Sequence, residues 1–321
     1  MGNKERYREF CKENSGIPIF SKDWWLDAVC GPENWDVAMV AKGDSVVATM
    51  PYTFKRKYGF VLLGMPFLTQ TLGPWLRSSP GKYAKKLTME KDCMESLIEQ
   101  LPHYDYFNQC FHYSVTNWLP FYWKGFKQTT RYTYVLEDLS DTGRIWEGFL
   151  DNIRREIRKA ESRFGLAVRS DMGIESFLKV TKKTFQRQGM NLPYPVEIVY
   201  KIERACERHN CKKILFAVDR EGNIHAAFYI VWDENSAYYL MGGGDPVLRK
   251  SGATSLLMWE AIKFASTVTS RFDFEGSMIE SVERFFRSFG AKQIPYYEVT
   301  NTQSRLLQLI KKFCRPSNDN L

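Results

Sequence analysis

The chain of 321 residues has little of what marks several large classes of protein. Its seven cysteines (Cys11, Cys30, Cys93, Cys110, Cys206, Cys211, Cys314) include no C-x-x-C pair, and the odd number argues against a disulfide framework. Reduced thiols are the expectation. The four histidines, His103, His112, His209 and His225, show no H-E-x-x-H spacing. His209 and Cys211 come closest to a ligand pair and read as the end of a helix, so no metal and no redox cofactor is predicted. Apolar stretches such as 253–265 are interrupted by charge well short of the roughly 20 residues that a bilayer requires, so no membrane span is expected. Met1-Gly-Asn-Lys-Glu-Arg6 is charged at once, with no apolar run of a secretory signal behind it. The expected location is the cytoplasm.

What is present describes a globular protein. The composition is 44% hydrophobic and 26% charged, and the length favours two domains over one. A net charge of +8 attracts polyanions, which include nucleic acid, nucleotide-linked substrates and phosphate-bearing cofactors. The sign does not choose among them.

The second half is the more legible. Ile214–Val218, Ile224–Trp232 and Ala237–Gly242 are apolar runs separated by the turn clusters 219–223 and 233–236, which predicts an antiparallel meander. A glycine-rich loop, 243–253, then opens into a helix over 254–266. That helix is apolar nearly all round, with Glu260, Lys263 and Thr267 as its polar stripe, so it is predicted to be buried. A short strand at 272–275, a helix at 279–289 stopped by Gly290, and a strand at 295–299 complete the order.

The first half repeats that order. Trp35–Lys42, Val46–Phe54 and Phe60–Gly64 form a comparable meander, a helix covers 83–101, and Tyr104-Asp-Tyr-Phe107 stands where Phe272-Asp-Phe-Glu275 stands later. The expected fold class is α/β (α+β), with two tandem domains, each a mixed, mostly antiparallel sheet flanked by helices. Their predicted spans are 1–140 and 141–300, followed by a C-terminal amphipathic helix and tail over 301–321. A single charged helix over 144–164 bridges the copies.

The candidate chemistry gathers in the second copy. Arg249, Lys250, Ser251, Gly252, Ala253 and Thr254 lie between a strand and a buried helix, where successive backbone N–H groups and the helix N-terminus can hold a pyrophosphate. A plain strand-to-helix turn reads the same six residues equally well. The run Gly242-Gly243-Gly244 suits a kink through which the Gly243 amide could stabilise an oxyanion. Glu275 is the candidate general base, with Asp273 beside it on the same strand face; an N-cap or ion-pair role competes for Asp273. Substrate contacts are expected from Tyr238 on the third strand, from Gln188 and Tyr194 between two helices, and from Lys55 and Lys57 at a basic hairpin tip. The bridging helix places Arg155, Lys159 and Arg163 at i, i+4 and i+8, with Arg154 and Arg158 on the adjacent face, a stripe that could follow a phosphate backbone. A solvated charged face explains these basic residues as well.

Several of these motifs, in order, resemble a known family. They are Asn152-Ile-Arg-Arg-Glu-Ile-Arg-Lys-Ala160, Tyr238-Tyr-Leu-Met-Gly-Gly-Gly244, Gly252-Ala253 with Trp259-Glu-Ala-Ile262, Phe272-Asp-Phe-Glu-Gly276 and Phe285-Phe-Arg-Ser-Phe-Gly290. Together they are similar to the Fem-type peptidoglycan aminoacyltransferases and the FemAB/BioF-like acetyltransferases of the GNAT superfamily. The likeness runs over roughly 144–299, with a looser fit through Leu72-Gly-Pro74. The loop resembles the R/Q-x-x-G-x-G/A donor motif but has Thr254 at its sixth place. The resemblance implies twin GNAT domains and transfer to an amine on a small molecule or a nucleotide-linked acceptor. It also implies a donor that is acyl-CoA or aminoacyl-tRNA, with peptidoglycan precursors as the metabolic setting. The first copy has a proline at Leu72-Gly-Pro74 where free amides would be needed, so it is expected to serve the acceptor. The competing reading is a catalytically silent, basic GNAT-like module that binds nucleic acid or a protein partner. The sequence does not fix the oligomeric state.

Overall fold

The computed structural model describes residues 2–187 and 189–313. The chain opens with helices α1 (Asn3–Glu13) and α2 (Asp23–Cys30), followed by strands β1 (Trp35–Lys42), β2 (Ser45–Lys57), β3 (Phe60–Gly64) and β4 (Trp75–Leu76). Helix α3 (Tyr83–Glu99), strand β5 (Tyr106–Cys110), helix α4 (Leu119–Trp123) and strand β6 (Lys127–Leu136) complete the first repeat. Helices α5 (Thr142–Gly148) and α6 (Asp151–Ser162), strand β7 (Ala167–Arg169), and helices α7 (Ile174–Arg187) and α8 (Val196–Arg208) lead into the second. Its meander is β8 (Lys212–Val218), β9 (Ile224–Trp232) and β10 (Ala237–Gly244). Helix α9 (Ala253–Ala265), strand β11 (Phe272–Asp273), helix α10 (Glu280–Arg287), strand β12 (Lys292–Thr302) and helix α11 (Arg305–Phe313) follow.

Two compact units result, one made of residues up to Arg131 together with those from Pro295 onward, the other of Tyr132–Ile294. In the first, strands lie in the order β1-β2-β3-β5-β12. The meander is antiparallel, and β3 runs parallel to β5 only at Leu62↔Tyr106 and Leu63↔Phe107. The two-residue period of the strands sends Val37, Met39 and Val46 into one core with Tyr7 and Leu26. Ala38, Met50, Leu63, Phe107 and Phe111 enter another, with Met94 and Leu97 of α3. Each buried Leu or Phe of this kind contributes roughly 1.5–3 kcal/mol against leaving it in water.

In the second unit the order is β6-β11-β10-β9-β8-β7. Ala226, Phe228 and Ile230 of β9 face one core with Leu256, Leu257 and Ile262 of α9 and with Ile153 and Ile157 of α6. Helix α7 packs on the other face, where the Phe177 ring meets Tyr229 at 5.8 Å. Helix α9 is buried as its composition predicts, and Glu260 and Lys263 of its polar stripe form an ion pair.

The predicted single helix over 144–164 is two helices. Phe149 and Leu150 are extended between α5 and α6, because the Phe149 ring is drawn into the core against Trp259 and Phe289. The backbone is held there by Leu150 N–H donating to Ser288 O at 3.0 Å. A second departure concerns the closing strands. β6 follows the first repeat yet pairs with β11, at Phe272↔Leu136 and Asp273↔Val135. β12 follows the second repeat yet pairs with β5, from Glu298↔Cys110 to Thr302↔Tyr106. Among the described residues no helix is long and apolar enough to cross a membrane.

Candidate active site

Strands β10 and β11 are parallel neighbours, but their pairing covers only Ala237↔Phe272 and Tyr238↔Asp273. From Tyr239 onward β10 is held through β9, so its other edge opens into a wedge. A register shift between Tyr239 and Met241 places a bulge at Leu240, ahead of the glycines rather than among them. Asp245 N–H donates to His225 O on the β9 side, while Gly244 N–H turns to the Thr184 hydroxyl at 2.9 Å. Alternation along the ladder then turns the Gly243 amide toward β9 and the Gly242 amide toward the wedge. The glycines are also required by packing. A Cβ at Gly243 would stand 3.0 Å from Thr181 Cα of α7, and one at Gly242 would stand 2.0 Å from the Tyr239 hydroxyl.

At the end of the wedge the loop 245–252 enters α9. Asp245 closes it by accepting from Val247 N–H at 2.9 Å and pairing with Lys183 at 2.7 Å, and that lysine holds its carboxyl below the usual range. Gly252 is left-handed (φ 79°), and a Cβ there would meet Glu156 O of α6 at 2.3 Å. Glycine at 252 is thus demanded by the close approach of α6. The first helical bond runs from Leu256 N–H to Gly252 O, so the amides of Ala253, Thr254 and Ser255 have no acceptor within the helix. No side chain caps them. Arg249, Lys250 and the Thr254 side chain are exposed beside them, and the Ser251 hydroxyl is buried without a hydrogen-bond partner. Such a helix end favours an anion.

A carboxyl pair lies where β11 ends. Asp273 is 3% exposed, and its Oδ1 accepts from the Thr133 hydroxyl at 2.5 Å and from Glu275 N–H at 2.8 Å. Burial pushes its pKa up to about 6, against those two donors. Glu275 is raised well above the ordinary carboxylate range, first by burial and then by the charge of Asp273. Its backbone is left-handed (φ 59°), as is that of Gly276, where a Cβ would meet Tyr132 O at 2.1 Å. A non-glycine residue held in this region is backbone strain stored at a chemically distinctive side chain. Tyr239 is raised by burial and by the neighbouring Tyr194 and Glu275, and burial lifts Tyr194 to about 12.

Strand alternation across the Tyr238-Tyr239 pair decides which ring reaches this place. Tyr238 is buried, and its hydroxyl donates to Asp233 Oδ2 at 3.2 Å, whereas Tyr239 joins Glu275 and Tyr194. The sequence reading had no ground for singling out Tyr239 or Thr133, although a Tyr-Tyr dipeptide on a strand guarantees that its two rings face opposite ways. Lys55 and Lys57 are exposed in the first unit at the end of β2, and the turn itself is Tyr58-Gly59 with positive φ at both. Arg154 Nη1 donates to Glu147 O at 3.0 Å, satisfying the end of α5, and Arg158 lies over the Trp146 ring at 5.8 Å. Gln188 lies outside the described residues.

The corresponding opening in the first unit is filled. Beyond Leu63↔Phe107, Leu72 bridges to Phe111, with its N–H donating to Cys110 O at 2.7 Å. Gly73 follows with φ 92°, and a Cβ there would strike the Phe111 ring at 2.3 Å.

Two parallel strands thus part around a bulge, with an uncapped helix N-terminus at their mouth. Residues 148–285, inside the second unit, match the family described as the acetyltransferase (GNAT) domain. Among solved structures, FemX is similar over 98% of both chains, at 12% identity and a TM-score of 0.68. L-PGS from Bacillus licheniformis follows at 13% identity and a TM-score of 0.54, covering 95% of this chain and 94% of that one. A tandem GNAT protein from the clavulanic acid biosynthesis pathway matches at 9% identity and a TM-score of 0.50, over 84% and 83%. At such identities these likenesses show the fold. No curated protein matches the sequence. Residues 148–285 thus match a GNAT acetyltransferase domain, and the chain as a whole shares the fold of FemX and of the tandem GNAT protein.

Proposed function

We propose that the protein transfers an acyl or aminoacyl group from acyl-CoA or aminoacyl-tRNA to an amine, with a cell-envelope precursor as the acceptor class. The observation that carries this reading is the wedge between β10 and β11 ending at the open amides of α9. Those amides, with Arg249 and Lys250, would hold the donor's phosphates, and the uncapped helix end suits that charge. Bound acyl-CoA would supply a thioester carbonyl as electrophile. The Gly242 amide, facing the wedge, would stabilise the oxyanion formed by direct attack.

Glu275 would take the proton from the attacking amine. Burial and Asp273 raise its basicity once it is ionised, which is what proton removal from an ammonium requires. Tyr239, beside it, would return a proton to the leaving group. Activity should therefore rise with pH through a value above the ordinary carboxylate range. Envelope chemistry is supported by the likeness to FemX and to L-PGS, and transfer onto an amine by the GNAT domain itself.

The test is transfer assayed by product mass with acetyl-CoA and with charged tRNA, alongside thermal stabilisation by each donor. Arg249→Ala with Lys250→Ala should weaken the productive donor about tenfold. No stabilisation by either donor, or an unchanged affinity in the double variant, would remove the donor assignment.

A further inference from the structure

Helix α11 faces the wrong way for a helix that only closes a core. Leu306, Leu309 and Ile310, at i, i+3 and i+4 spacing, are 57%, 51% and 42% exposed. The half-buried member is Leu307, and Gln308 spends its amide on Thr302 O at 2.7 Å. A surface helix ordinarily turns its apolar stripe inward. The charged residues of the sequence 304–315 are Arg305, Lys311, Lys312 and Arg315, with no Asp or Glu among them.

A second feature of the first unit stands at the same end of the sheet. Asp105 links the start of β3 to the end of β12: its N–H donates to Val61 O, its carboxylate accepts from Val61 N–H, and its carbonyl accepts from Gln303 and Ser304 N–H. One step from Val61, Phe60 pairs with Lys57, so the hairpin tip bearing Lys55, Arg56, Lys57 and an 87% exposed Tyr58 lies about two strand spacings from the start of α11, roughly 10 Å. The Lys57 ammonium lies over the Tyr58 ring at 5.2 Å.

An outward apolar helix face that begins at Arg305, beside a basic hairpin carrying an exposed tyrosine, is the chemistry of an interfacial membrane contact. We infer that this end of the first unit docks on an anionic lipid surface, with Leu306, Leu309 and Ile310 entering the head-group boundary and Lys55, Arg56, Lys57 and Arg305 meeting lipid phosphates. Nucleic acid would satisfy the basic residues but would leave the three apolar side chains in water, so the lipid surface is the better fit. The inference is independent of acyl transfer, and its test reads binding alone.

The full chain would be sedimented with phosphatidylcholine vesicles, with and without phosphatidylglycerol. Binding should require phosphatidylglycerol, weaken with salt, and fall at least about tenfold when Leu306, Leu309 and Ile310 are all changed to serine. Those side chains are exposed, so the thermal midpoint should hold. A single Leu306→Trp variant gives a second reading: its fluorescence should be quenched by brominated acyl chains in phosphatidylglycerol vesicles. The inference is overturned by equal binding to both vesicle types, by an unquenched tryptophan, or by full binding in the serine variant. It is equally overturned if these residues support tRNA binding or self-association while vesicles are ignored.

Discussion

The two units use one architectural plan with opposite outcomes at the point where parallel strands part. In the first, β3 and β5 separate after Leu63↔Phe107, and the chain's own Leu72 and Gly73 occupy the gap against Phe111. In the second, β10 and β11 separate after Tyr238↔Asp273, and the short loop 245–252 leads directly into α9. The difference lies in the crossover. Met65–Lys82 is long and carries Pro66, Pro74 and Pro80, so it can fold back over the sheet edge before α3 begins, whereas 245–252 has no slack to do so. An opening between strands thus stays unfilled by the chain only when the connection that follows is too short to plug it.

The largest expected effect tests where the chemistry resides. Glu275→Gln should lower kcat by two to four orders of magnitude with little change in donor KM, and should abolish the rise in rate with pH. A variant that kept its rate would free the second unit of its proton-transfer role. Next is the pH dependence of stability. Asp273 has a folded pKa of about 6, raised above the unfolded value near 3.8, so its protonated form is favoured by folding. Its contribution is fully present below about pH 4 and is lost as pH rises through 6, a change of up to about 3 kcal/mol. Asp273→Asn keeps the Oδ1 acceptor for Thr133 and Glu275 N–H, so its denaturation midpoint should lie above that of the parent at pH 7 and vary less between pH 4 and 7.

A matched pair of glycine variants sharpens the contrast directly. Gly252→Ala and Gly73→Ala each place a Cβ at 2.3 Å from a neighbour on a left-handed backbone, and each should cost about 1–3 kcal/mol. Only the first should weaken donor binding, measured by titration at a temperature where both remain folded. The smallest effect is Arg154→Ala, which should cost about 1 kcal/mol through the carbonyls of α5. A tenfold loss of donor affinity in that variant would instead reinstate Arg154 as a phosphate contact.

Much of this was legible in the sequence because it is written in local periodicity. β1 and β3 begin and end where their apolar runs do, and the largely apolar stretch over 254–266 is the buried α9. The junction at Phe149 was not legible, because what extends those two residues is the pull of Trp259 and Phe289, more than a hundred positions away in sequence. The bulge at Leu240 was misplaced for a related reason. Glycines mark where a strand could bend, while α7 packing at Gly243 consumes that freedom. The carboxyl pair was found as a motif, but Thr133 escaped notice since its strand belongs by sequence to the first repeat.

That last fact has a consequence for how the molecule can be taken apart. A fragment beginning after Leu136 would carry the whole loop 245–252 yet leave Phe272 and Asp273 as a bare sheet margin, and Asp273 would lose its hydroxyl donor. A fragment ending before Lys292 would strip β5 of its neighbour in the same way. Having traded closing strands, neither half carries all the strands of its own sheet when it is cut away from the other.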